Sequence, residues 1–142
     1  MISPQLPKAW SRTVVLAVRP SVDSGRFPIK RTTGENVVVT ADIVADGHET
    51  VAAELVYGPA GRETQSVRLE FRGNDVYTGE FMVGEMGTWR YRVRAWVDTF
   101  ATWQAVFKRR VDTGSDESEL RSELLEGAGL LKKAAAKAKG GD

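Results

Sequence analysis

The sequence predicts a mainly β protein, an immunoglobulin-like antiparallel β-sandwich followed by a C-terminal α-helical segment. Composition changes near Val111: residues 1–111 contain all five prolines and all four tryptophans, whereas residues 112–142 are rich in Ala, Leu, Glu, Lys and Ser. In the first part, apolar and polar residues alternate with a period of two between turn-forming clusters. We therefore divide the chain into an N-terminal extension (1–12), a sandwich (13–111) and a helical segment (112–142).

The alternation predicts seven or eight short strands. Thr13–Val18 is the first, and the two prolines and one glycine of residues 20–28 then indicate a loop or an edge. The apolar faces of the following strands contain, in chain order, Val39, Leu55, Leu69, Phe81 and Tyr91. A final strand is expected at Thr102–Val111. This number of strands and their spacing are typical of an immunoglobulin-like sandwich, which buries one face of each strand.

Two details of the strand pattern are specific enough to check. A single strand is expected across residues 66–72, with Val67, Leu69 and Phe71 on its buried face. Residues 85–89 (EMGTW) resemble the corner that precedes the sixth strand of immunoglobulin-like domains, with tryptophan in the place of the usual tyrosine.

The strand after this corner predicts the most distinctive surface of the domain. Arg90, Arg92, Arg94 and Trp96 alternate with apolar residues and are expected to point away from the core. They form either a solvated sheet face opposite acidic side chains or an interaction surface, because Arg and Trp are enriched at interface centres. A third interpretation is glycan recognition, with Trp96 or Trp103 stacking on a sugar ring.

The C-terminal segment predicts an amphipathic helix. Its apolar residues recur at helical spacing: Leu120, Leu124, Leu125, Ala128, Leu131 and Ala135. Ser115 or Asp116 is expected to cap the helix, and acidic residues precede lysines along it, which complements the helix dipole. Gly127 and Gly129 leave two alternatives open, one long helix or two short ones. In either case the leucines need a surface to cover.

Charge and composition exclude several classes of function. The 142 residues include 20 Lys and Arg against 19 Asp and Glu, so the net charge of +1 predicts no charge-driven binding to nucleic acid or to an anionic membrane. The absence of cysteine excludes disulfides, thiolate zinc sites and cysteine nucleophiles. No apolar run is long enough to span a membrane, and the first residues lack a signal-peptide core, so we expect a cytoplasmic protein.

The sequence offers no catalytic constellation. The single histidine, His48, lies in a turn-forming sequence and has no second imidazole with which to complete a metal site. The pairs Asp42/Asp46 and Asp98/Asp112 are better explained as acids at strand edges and turns than as glycosidase carboxylates. No glycine-rich phosphate-binding motif is present. We predict no catalytic residue, no metal site and no cofactor.

Five stretches in combination carry a resemblance to a known family. They are VRPSVDSGRFPIKR at 18–31, ADIVADGHE at 41–49, GND at 73–75, RAWVDTFATW at 94–103 and ELLEGAGLL at 123–131. Together they resemble the N-terminal domain of the maltose-1-phosphate-dependent α-1,4-glucan maltosyltransferases, which are bacterial enzymes of the α-amylase superfamily. The resemblance covers roughly Val14 to Ala136.

This resemblance implies a non-catalytic accessory domain of an enzyme that extends α-glucan chains. In the family, such a domain looks like an immunoglobulin-type sandwich that precedes a catalytic (β/α)₈ barrel and contributes to a homodimer interface. The implied partners are the barrel and a second subunit, and α-glucan is a further candidate. The catalytic groups of the family lie in the barrel, so none is assigned to this chain. The alternative is a free-standing glycan-binding module.

Overall fold

A computed structural model of the chain describes residues 12–139. They form two compact units that divide after Trp96, a sandwich and a pair of helices. The predicted N-terminal extension lies outside the described residues, apart from Arg12.

Seven strands and one short 3₁₀ turn (Asp23–Gly25) make up the first unit within the described residues. The strands are β1 (Thr13–Arg19), β2 (Asn36–Ala45), β3 (Val51–Pro59), β4 (Gln65–Arg68), β5 (Glu70–Gly73), β6 (Val76–Met82) and β7 (Trp89–Val97). One sheet has the order β1-β2-β6-β5 and the other β4-β3-β7. The pairings of β1 with β2, β2 with β6, β3 with β4 and β5 with β6 are antiparallel, which confirms the predicted sandwich.

The core lies between the two sheets and follows the predicted alternation. Val39 of β2 and Leu55 of β3 are fully buried, and neighbouring buried residues of the same faces surround them. Phe81 of β6 stacks on Tyr57 with ring centroids 4.7 Å apart and also packs against Trp89 of β7. Aromatic residues from three strands therefore join the two sheets at one end of the core.

The predicted strand across residues 66–72 is two strands in different sheets. β4 pairs with β3, β5 pairs with β6, and Leu69 lies at the crossing with its backbone N–H donating to the carbonyl of Ala53 (2.9 Å). Leu69 is buried as predicted, and a Cβ added to Gly79 would lie 2.6 Å from its Cδ2 atom. Phe71 is exposed, contrary to the prediction, because the chain changes sheets before reaching it.

The corner before β7 is confirmed. The indole Nε1 of Trp89 donates to the backbone carbonyl of Glu85, 3.0 Å away. This bond is the counterpart of the one that the tyrosine hydroxyl of an immunoglobulin corner makes to the backbone upstream. Gly87, at φ 139°, provides the turn between them. This bond fixes the point at which β7 begins, and with it the alternation of the strand.

The predicted final strand at Thr102–Val111 is wrong, because these residues belong to helix α1 (Thr99–Asp112). Aromatic and β-branched residues favour strands, but Phe100, Trp103 and Phe107 recur at helical spacing and pack on one another. Asp98 caps the helix by accepting from the backbone N–H of Ala101 (2.9 Å). The strands therefore end at Val97 instead of near residue 111.

Helix α2 (Glu117–Lys139) runs without interruption through Gly127 and Gly129, so the two-helix alternative is wrong. Asp116 caps it through a bond from the backbone N–H of Glu119 (2.9 Å), as one of the two predicted caps. Hydrogen bonds from Glu119 and Ser118 lower the pKa of Asp116, which keeps this carboxylate ionised at the positive end of the helix dipole.

The two helices are held together by Trp103 of α1. Its indole Nε1 donates to the backbone carbonyl of Glu123 in α2 (2.7 Å), and Arg110 Nε contacts the Glu123 carboxylate at 2.9 Å. A Cβ on Gly127 would overlap the six-membered ring of Trp103. Gly127 is thus the position at which α2 makes room for the indole.

Replacement of the two glycines of α2 by alanine should therefore have opposite effects on the free energy of unfolding. Gly129→Ala has open space around its Cβ and should raise the free energy of unfolding by up to about 1 kcal/mol, the difference in helix propensity. Gly127→Ala should lower it by about 1–3 kcal/mol, because the indole must move. Urea unfolding followed by circular dichroism at 222 nm measures both, and equal effects would contradict the packing described here.

Candidate interaction surfaces

His48 is exposed in the turn between β2 and β3. Residues 12–139 contain no group of three or more His, Cys, Asp or Glu side chains arranged to hold a metal ion. No helix in this same range is long and apolar enough to cross a membrane. The described part of the chain presents three distinctive surfaces: the outer face of β7, an apolar face of α2 and a groove between β1 and β7.

The first surface is the outer face of β7. Arg90, Arg92, Arg94 and Trp96 are exposed and alternate with inward residues that pack against the core, as the sequence predicted. Trp96 retains 37 % of its accessible surface. The strand register, fixed by the Trp89 corner, places all four side chains on one face.

Side chains of neighbouring strands and loops form contacts with most of the charged and aromatic groups on this face. Arg94 forms an ion pair with Glu54 of β3, and Arg90 lies 4.0 Å from the carboxylate of Glu63. Arg68 of β4 stacks its guanidinium over Trp96, 4.9 Å from the ring centroid. The acids expected opposite the arginines are present, which agrees with the interpretation of a solvated face.

Arg92 is the exception on this face. It forms no ion pair with any of residues 12–139, although its charge acts on Glu63. Backbone N–H groups of Gly61 and of Glu63 itself lower the pKa of Glu63, and the charges of Arg90 and Arg92 lower it further. Glu63 therefore remains a carboxylate, and of these two arginines only Arg90 lies within 4.0 Å of it.

Trp103, the fifth candidate, belongs to the helical unit. Its ring is half-buried between Phe100 and Phe107, and its N–H group donates to the backbone carbonyl of Glu123. The structure therefore groups four of the five candidates on β7 and places Trp103 within the contact between α1 and α2. Sequence periodicity missed this because the contact joins residues about twenty positions apart.

The second surface is the apolar face of α2 that α1 leaves uncovered. The residues of α2 that are at least partly buried are Leu120, Glu123, Gly127, Gly129 and Leu130. The predicted stripe of leucines and alanines lies beside this line and is exposed from Leu124 onward. Leu124, Leu125 and Leu131 keep 53, 69 and 56 % of their accessible surface.

The third surface is a groove between β1 and β7, each of which is an edge strand of its sheet within residues 12–139. Its volume is about 1120 Å³. Trp89 and Tyr91 line it from β7, Val15 and Val18 from β1, and Phe27 from the loop that follows β1.

Comparison with known proteins assigns the chain to a family. Residues 11–141 match the family model described as "Alpha-1,4-glucan:maltose-1-phosphate maltosyltransferase, domain N/S". The chain belongs to this family. The resemblance seen in the sequence is thereby confirmed, and the match extends over both the sandwich and the helical unit of this N/S domain.

The relatives of this N/S domain are much longer proteins. The maltosyltransferase of Salinibacter ruber is 50 % identical over 92 % of this chain, and that of Chlorobaculum tepidum is 40 % identical over 92 %. The Myxococcus xanthus enzyme is 41 % identical over 86 % of the chain. These matches cover only 19–20 % of each relative, so the chain spans about a fifth of their length.

Removal of the guanidinium above Trp96 should change the environment of this indole. Arg68→Ala should increase acrylamide quenching of tryptophan fluorescence and lower stability by about 0.5–1 kcal/mol, the strength of an exposed cation–π contact. Arg72→Ala, on the exposed strand β5, is the matched control and should leave the quenching unchanged. If the two variants behave alike, Arg68 does not shield Trp96.

Proposed function

We propose that this chain is a non-catalytic accessory and dimerisation domain of an α-1,4-glucan:maltose-1-phosphate maltosyltransferase that acts in α-glucan synthesis. The observation that carries the proposal is the uncovered leucine face of α2. An apolar face of this kind on a helix whose other face is already packed is typical of a protein–protein contact. The family of the chain and its coverage of about a fifth of each relative support a domain role.

The proposed partner at this face is the α2 helix of a second copy. Residues 117–126 carry four glutamates and one arginine, whereas residues 132–139 carry four lysines and no acid. An antiparallel arrangement places the acidic half of one helix beside the basic half of the other and buries both leucine faces. Charge complementarity of this kind fixes orientation, while the apolar contact supplies most of the free energy.

A charge placed in the leucine face should prevent this association. Leu131→Asp is expected to shift the chain from dimer to monomer in analytical ultracentrifugation, because it would bury an unpaired carboxylate. Leu16→Asp changes a similarly exposed leucine of β1 and should leave the dimer intact. A wild-type chain that is monomeric at 100-fold above the concentration used for the variants would contradict the proposed dimer.

The reactive machinery is proposed to reside in another part of the enzyme. The chain alone should show no transfer of maltosyl units from maltose 1-phosphate to glucan. Co-expression with the barrel region of the Salinibacter ruber relative should yield a complex that co-purifies, since the accessory domain must bury surface against its enzyme. Turnover by the chain alone, or no association at all, would contradict the proposal.

A glycan-binding module is the alternative, and the exposure of Trp96 favours it. Titration with maltodextrins, followed by tryptophan fluorescence, separates the two functions. Millimolar or tighter binding that Trp96→Ala abolishes would support the module. Trp103→Ala serves as a comparison, because its indole is engaged within the helical unit. We propose further that the glucan is glycogen and the compartment the cytoplasm, on the family resemblance alone.

A further inference from the structure

The strand order of the sandwich points to an unoccupied position beside β7. Immunoglobulin constant-type domains combine a sheet of strands A, B, E and D with a second sheet in which strand G pairs with F. Here β1, β2, β6 and β5 occupy the positions of A, B, E and D, while β3 and β7 occupy those of C and F. Within residues 12–139 no strand takes the position of G, because the chain after Val97 enters α1.

The edge of β7 is therefore open. In the described part of the chain, β7 pairs with β3 alone and β1 pairs with β2 alone. Every second residue on the free edge of β7 presents a backbone N–H and C=O to the groove, and such edges are readily extended by another strand. Two side-chain bonds cross between these edge strands, from Thr13 Oγ1 to the Ala95 carbonyl (3.1 Å) and from the Tyr91 hydroxyl to the Pro20 carbonyl.

The core is incomplete on the same side. Val39 and Leu55, at the centre of the two sheets, have no accessible surface. Trp89, Tyr91 and Val93 face the same core but are only half-buried. The groove beside them is open to solvent, so an apolar side chain arriving from a neighbouring strand would complete their burial.

The charges around the groove indicate what such a strand carries on its outer face. Arg92 has no ion pair among the described residues, and Arg90 only a 4.0 Å contact with Glu63. Arg26, in the loop after β1, lies 3.6 Å from Asp23 and also lines the groove. Residues directly opposite each other on adjacent strands interact, and opposite charges are favourable there. Arg90 and Arg92 therefore favour acidic residues at the facing positions.

We propose that this groove binds a β-strand supplied by a part of the maltosyltransferase polypeptide that this chain does not contain, which pairs antiparallel with β7 and completes the sandwich. The strand alternates apolar residues, which enter the core beside Trp89 and Tyr91, with acidic or polar residues, which face Arg90 and Arg92. Main-chain hydrogen bonds supply affinity and the alternate side chains supply specificity, as in other cases of strand addition. The source of the strand rests on the proposed function, whereas the open edge does not.

The experiment uses overlapping 20-residue peptides that cover the Salinibacter ruber maltosyltransferase outside the stretch that matches this chain. Binding to the chain is measured by fluorescence anisotropy, and amide hydrogen exchange is measured with and without the tightest peptide. One contiguous region should bind and should slow exchange in residues 89–95 at least tenfold. Peptides from residues 1–11 of this chain are included, and binding by them in preference to the relative's peptides would overturn the proposed source.

Matched variants locate the binding. Arg92→Glu should weaken binding of the peptide at least threefold, because it places like charges opposite each other. Arg72→Glu, on β5 at the opposite edge of the sandwich, should leave binding unchanged, and circular dichroism confirms that both variants are folded. Equal effects of the two changes would overturn the assignment of the strand to β7.

Two results overturn the proposal outright. One is exchange of the β7 amides in the free chain as slow as that of β2, and the other is the failure of every peptide to bind. The outcome is separable from that of the proposed function. Association of the chain with the barrel region without protection of β7 would support the accessory role and refute the proposed strand addition. Peptide binding without such association would support the strand addition and refute the accessory role.

Discussion

Strand β7 is the element on which the properties of the sandwich depend. Its inward side chains close the core, its outward side chains form the arginine-rich face, and one of its edges holds the second sheet together through β3. The bond between Trp89 Nε1 and the Glu85 carbonyl anchors the start of this strand, and pairing with β3 continues its register. A shift of one residue would exchange the aromatic and arginine faces, so the corner is a constraint on the whole unit.

Three of the tryptophans show how one side chain type takes different roles. Trp89 and Trp103 both donate their N–H group to a backbone carbonyl, and their rings pack within a unit. A buried indole needs such an acceptor, because an unpaired N–H group away from water costs free energy. Trp96 instead lies under the guanidinium of Arg68 on an exposed face. Burial and a backbone acceptor therefore distinguish Trp89 and Trp103 from Trp96, whose ring stays exposed beside a charged side chain.

The sequence predicts those parts of the fold that depend on local periodicity. The alternation on β2 and β7, the corner at Trp89 and the cap at Asp116 all follow from neighbouring residues. The change of sheet at Leu69 does not, because residues on both sides of it keep a period of two. The helix at Thr99–Asp112 was missed because its aromatic and β-branched residues favour strands, and the decisive contact, Trp103 on Gly127, joins distant positions. The inward face of α2 also lies beside the predicted leucine stripe instead of along it. It is centred on Gly127, where the flat indole of Trp103 packs, and hydropathy does not count glycine as apolar.

The two open surfaces differ in the chemistry that would satisfy them, and this separates their roles. The face of α2 has all its backbone hydrogen bonds made within the helix, so only side-chain burial drives its association, and complementary charges along the helix set the direction. Within residues 12–139 one edge of β7 has no strand partner, so only an extended segment could continue its ladder of backbone hydrogen bonds, whatever the identity of the side chains. Neither surface can substitute for the other: a helix cannot pair with the edge, and a strand gains no backbone bonds from the leucine face. The two surfaces therefore select different segments, one helical and one extended.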